Sequence, residues 1–156
     1  MDRLTISNDL FFSDVLELLR EGKSVTIPVK GSSMLPFIAG GKDFVVLEGV
    51  EAGTPAGLDR RQAKAGDIVL FCLSGKFIMH RILSFNGGTA EIQGDGILKA
   101  KEHCGRDQIF GKVVTVLKDG RRPVDVSSSY HRLKVRIWLA LSPARRILLA
   151  VLKRFA

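Results

Sequence analysis

Between Asp67 and Leu83 two runs rich in β-branched and aromatic residues, DIVLFCL and KFIMHRIL, are separated only by Ser74-Gly75. A chain reverses across two residues only in a tight turn, and a glycine there accommodates the positive φ that such turns demand. This predicts an antiparallel hairpin at the middle of the chain. Asn86-Gly87-Gly88 predicts a second reversal, into Thr89–Gln93. Ser24–Val29, Phe44–Leu47 and Ile109–Leu117, the last closed by Lys118-Asp119-Gly120, read as further strands. The expected fold is mainly β, a β-rich α+β class, with an antiparallel body over residues 24–120. Residues 49–65, GVEAGTPAGLDRRQAKA, have the composition of a surface loop.

Helical periodicity appears only at the ends. In segment 8–21 the apolar residues Leu10, Phe11, Val15, Leu18 and Leu19 recur near a 3.6-residue period. Asn8 or Ser13 can cap that helix and Gly22 can end it, giving an N-terminal helical segment over residues 1–23. At the other end, residues 121–156 form a distinct tail. Within Arg132–Phe155 two apolar blocks, Val135–Leu141 and Ile147–Leu152, flank Ser142, Pro143, Arg145 and Arg146. Arginines at a bilayer centre are costly, so two short basic amphipathic helices are expected rather than a membrane span. Helices packed on the protein's own body are the equal alternative.

Charge divides the chain in the same way. Residues 1–117 hold 14 Lys and Arg against 14 Asp and Glu, while residues 118–156 hold ten against two, so the tail carries the whole net +8. A neutral body with a basic tail argues against a nucleic-acid-binding core and for an interacting tail. With 46% hydrophobic and 26% charged residues, the 156-residue chain has a globular composition. Met1-Asp2-Arg3 opens no secretory signal, and the two cysteines, Cys72 and Cys104, suit a reducing compartment. The expected location is cytoplasmic, with peripheral contact on the inner face of an anionic membrane through residues 132–156.

The segment with chemical interest is Lys30-Gly31-Ser32-Ser33-Met34-Leu35-Pro36. A serine hydroxyl attacks only when a neighbouring base takes its proton and when the turn exposes it. A Gly-flanked strand end supplies exposure, and its amides can face a developing oxyanion. Taken alone, such a turn is commonplace. His103-Cys104 has no Cys-x-x-Cys or His-x-x-x-His partner, so neither a metal nor another cofactor is expected.

Gly31-x-Ser33-Met34-x-Pro36, Gly66-Asp67-Ile68-Val69, His80-Arg81-Ile82 and Gly94-Asp95 occur in that order. Together they resemble the boxes of the signal peptidase/LexA-like serine peptidases, over about residues 24–117. The resemblance implies that Ser33 is the nucleophile and that His80 is the general base, as in the Ser-His branch rather than the lysine branch. It implies a serine endopeptidase acting on a peptide or protein leader. The family's Asp-rich segment after Gly-Asp is missing, which leaves Glu102 as first candidate for the third member, then Asp95 and Asp107. A Ser-His dyad stays open, and so does turn capping for Asp95. The Ser33 amide is the expected oxyanion donor. Gly31 stands where some members carry a second, hydroxyl donor, so that donor is unassigned.

With 32 residues before Ser33 in this sequence, neither the DNA-binding domain and cleavage segment of a self-cleaving repressor nor an anchor like that of signal peptidases is expected ahead of it. Cleavage of a separate chain is therefore the expected activity. A non-catalytic peptide-binding module and a membrane-surface interaction protein are the alternatives.

Overall fold

The computed structural model describes residues 8–50 and 62–155. Helix α1 (Asn8–Arg20) precedes strands β1 (Val25–Pro28) and β2 (Phe44–Gly49). The central hairpin is β3 (Ile68–Leu73) and β4 (Lys76–Asn86), followed by β5 (Thr89–Gln93) and β6 (Glu102–Gly105). A 3-10 turn, Arg106–Gln108, leads into β7 (Ile109–Lys118) and β8 (Arg122–Asp125), and the chain closes with α2 (Ser129–Ala140) and α3 (Ser142–Phe155). The fold is an antiparallel, β-rich α+β arrangement. Most of the expected loop at 49–65 falls on residues 51–61, outside the described residues.

The sheet runs β1-β2-β7-β3-β4-β5-β6. β7 organises it: β2 lies along one side, while β3 and then β8 share the other. β8 thus lies within residues 121–156, and the sheet continues past the boundary expected at residue 120. In β3, Ile68 and Leu70 enter one apolar cluster while Val69 and Phe71 enter another. Burial on both faces explains why this strand reads as a continuous apolar run.

α1 covers the first cluster with Val15 and Leu19, and Phe12 stacks on Phe77 with centroids 4.6 Å apart. That stacking turns the buried stripe toward Phe11, Phe12, Val15 and Leu19. Leu10 and Leu18, expected on the same stripe, are exposed at its margin. Ser13 sits inside the helix, and Gly22 ends it at φ +80° with its amide on Leu19 O.

The loop from β1 to β2 hangs on Asp43. Its carboxylate accepts from Lys118 Nζ at 2.7 Å, from the Ala39 amide at 2.8 Å and from the Asp119 amide at 3.0 Å. Burial opposes ionisation, but Lys118 and the two amides outweigh it and hold the carboxyl below its ordinary 3.8. A lowered acid pKa contributes stability in full above the unfolded value and loses it as pH falls through the folded one. The urea midpoint should therefore fall as pH drops below about 4. Asp43→Asn should flatten that limb of the profile; an unchanged profile would remove this role.

Candidate active site

The loop after β1 turns sharply over residues 31–37. Gly31 adopts φ +79°, and the Gly40 amide closes back onto its carbonyl at 3.1 Å. Met34 and Ile38 sink into the main core, Leu35 is buried against the C-terminal helices, and the Leu35-Pro36 bond is cis. Ser32 is left exposed and Ser33 half-buried. Met34 is thus a packing residue beside the serine. Among the described residues the Ser33 amide has no hydrogen-bond acceptor.

A second turn, Gly94-Asp95-Gly96, holds the first in place. The Gly96 amide donates to Ser33 O at 2.8 Å. A Cβ on Gly94 would lie 2.5 Å from Ser33 O and 3.0 Å from His80 Cδ2. One on Gly96 would lie 2.7 Å from Ser32 O. The serine turn and the imidazole therefore converge on a point that only glycine can occupy. Gly94→Ala should force them apart and cost about 1–3 kcal/mol, read as a lowered unfolding midpoint. A midpoint equal to the parent's would contradict this packing.

His80 is on β4, buried at 7% exposure against Phe71. Its Nδ1 lies 3.1 Å from Glu102 Oε1. That is ion-pair distance, although the alignment falls short of a well-formed hydrogen bond. Such contacts are commonly loose before substrate binds. Glu102 reaches this place because β6 pairs with β5, Ile92 opposite Glu102, while β5 pairs with β4, Ile82 opposite Ile92. The imidazole thus turns Nδ1 toward a carboxylate and its Cδ2 edge, beside Nε2, toward Gly94, on whose other side Ser33 O lies. Among the described residues no hydrogen bond joins Ser33 Oγ to His80.

The other carboxylates are engaged elsewhere. Asp95 binds Arg81 in a buried fork, Nε to Oδ1 and Nη2 to Oδ2, both at 2.8 Å. Arg81 Nη1 also donates to Gly66 O at 2.8 Å, and Trp138 Nε1 donates to Asp95 O at 2.8 Å. Asp95 is therefore a structural counter-ion, neither a free turn cap nor a partner of His80. Asp107 is exposed on the 3-10 turn. Asp67 closes its own turn by accepting from the Lys64 amide at 3.0 Å. Cys104 is buried, which with Asp107 and Glu102 nearby pushes its thiol up to about 11 and leaves no thiolate. His103 is exposed and faces Glu91 at 3.5 Å.

Reading the sequence missed the part played by Arg81 and Trp138. Arg81 joins three of the four sequence boxes: it lies in one and binds Gly66 and Asp95 of two others. The available signal was its place directly after His80, with Asp95 directly after Gly94. Nothing in the sequence ties the single Trp138 to Asp95.

The arrangement offers a half-buried serine, an imidazole across Gly94 from its turn with a carboxylate 3.1 Å from Nδ1, and a Ser33 amide with no acceptor among the described residues. These are the parts that acyl transfer requires. No family model and no curated protein matches the chain.

Proposed function

We propose that the protein is a serine endopeptidase of the signal peptidase/LexA-like kind, with Ser33 as nucleophile, His80 as general base and Glu102 orienting the imidazole. The observation that carries the reading is the two-sided setting of His80, with Nδ1 3.1 Å from Glu102 Oε1 and the Cδ2 edge of the ring facing Ser33 O across Gly94. Alignment of Nδ1–H on Glu102 as substrate binds would leave Nε2 unprotonated, the tautomer needed to accept a hydroxyl proton.

Ser33 Oγ adds to the scissile carbonyl carbon as His80 Nε2 takes its proton. The carbonyl electron pair moves onto oxygen, facing the free Ser33 amide. Collapse breaks the C–N bond, and the leaving amine takes the proton from His80. Water then attacks the acyl-serine as His80 takes its proton; collapse breaks the C–Oγ bond, His80 returns that proton to Ser33 Oγ, and the acid product leaves. The substrate class is an extended peptide or leader segment of a separate chain.

Mass-spectrometric analysis of a mixed peptide pool incubated with the intact protein tests the reading. New termini should appear with the parent and be missing with Ser33→Ala. Glu102→Gln should slow their appearance by up to about 10⁴-fold, the size found when the orienting carboxylate of a triad is lost. No new termini from folded parent protein would favour a peptide-binding module instead.

A further inference from the structure

The C-terminal helices are rooted at the serine turn and bare on the far side. Trp138 of α2 and Leu149 of α3 pack with Leu35, two residues beyond Ser33. Outward, α3 shows Ile147 at 70% exposure and Phe155 at 81%, with Leu148, Val151 and Leu152 also exposed. At 100° per residue these five side chains fall within roughly 140° of arc. Arg146, Lys153 and Arg154 occupy the remaining solvent side of the helix. Exposed Leu133 and Ile137 of α2 lie among Arg132, Lys134 and Arg136. No acidic residue follows Asp125.

We infer that α2 and α3 dock the protein on an anionic lipid surface, with the Ile147–Val151–Phe155 stripe entering the headgroup layer. An apolar arc bordered by lysine and arginine is the pattern of a helix lying in the membrane plane. No described helix is long and apolar enough to cross a membrane, so an in-plane position is the one available to these helices. A second copy is the poorer occupant, because self-pairing would bring two acid-free basic faces together. A nucleic acid would meet the charge but leave the aliphatic stripe unexplained. Because Leu35 packs on the roots of both helices, docking would hold the Ser33 turn near the bilayer.

Cosedimentation of the full chain with vesicles tests the docking without needing catalysis. The protein should pellet with vesicles enriched in phosphatidylglycerol, stay largely in solution with pure phosphatidylcholine, and release as salt is raised. Ile147→Glu with Val151→Glu should weaken binding at least about tenfold, since two buried aliphatic contacts become charges on the inserted side. Arg146→Gln and Arg154→Gln should each weaken it about fivefold and preserve the stripe, a second reading should the first variant fold poorly. Ser33→Ala should bind like the parent, so loss of proteolysis and loss of docking are separable. Recovery of the parent in the supernatant with anionic vesicles would overturn the inference. So would parent-like binding by both sets of variants, or a dimer in sedimentation equilibrium that Ile147→Glu dissociates.

Discussion

Ser33→Ala is expected to lower peptide turnover by about 10⁴- to 10⁶-fold while leaving the unfolding midpoint near that of the parent, since it removes the atom that the proposed mechanism uses to form the acyl bond. The serine is half-buried, and its backbone contacts with Gly96 survive the change. His80→Ala should cost about 10²- to 10⁴-fold, the share of a positioned general base. His80 is buried against Phe71, so truncation also leaves a small cavity. His80→Gln keeps much of the volume and should be equally inactive but more stable. Steady-state cleavage rates beside thermal unfolding separate the two effects. Turnover retained by either serine or histidine variant would remove the role assigned to that residue.

Arg81→Met should have the largest effect on stability. It would strand the Asp95 carboxylate, whose side chain is 1% exposed, without its counter-ion. Breaking a buried pair from one side costs about 3–5 kcal/mol. For a domain of this size that lowers the melting temperature by roughly 10 °C. It would also free Gly66 O and loosen the Gly94–Gly96 turn that holds Ser33. Arg81→Lys keeps the charge but cannot make the three directed contacts of the guanidinium, so an intermediate loss is expected. Adding Asp95→Leu to Arg81→Met should recover much of the stability, because the stranded charge is then gone. A single variant within about 1 kcal/mol of the parent would contradict the fork's role.

The hairpins were legible because local signals and tertiary need agree there. β3 and β4 are apolar, and Ser74 and Gly75 both take positive φ between them. β6 was not legible. Its residues, Glu-His-Cys-Gly, follow Lys99 and Lys101 with little β propensity, and it forms because β5 offers a partner edge. β8 was hidden by Arg122 and Pro123, which a central strand would reject and an edge strand tolerates. The site followed the same division. Ser33 and His80 stand in short ordered motifs, so their residue types can be read locally. The approach of Glu102 to His80 needs the β4-β5-β6 register, which the sequence does not announce. The Arg81 fork joins residues 14 positions apart to one another and to a helix beginning at Ser129. Such partnerships appear only once the sheet and helix are assembled.

The pairing of Ser33 with His80 is tested most directly by reaction of the intact folded protein with a fluorophosphonate, followed by peptide mapping. One phosphonyl adduct is expected, located on Ser33, and its formation should slow by about 10²- to 10⁴-fold in His80→Gln. Absence of an adduct on Ser33 in folded protein, or labelling at the parent rate without His80, would contradict it.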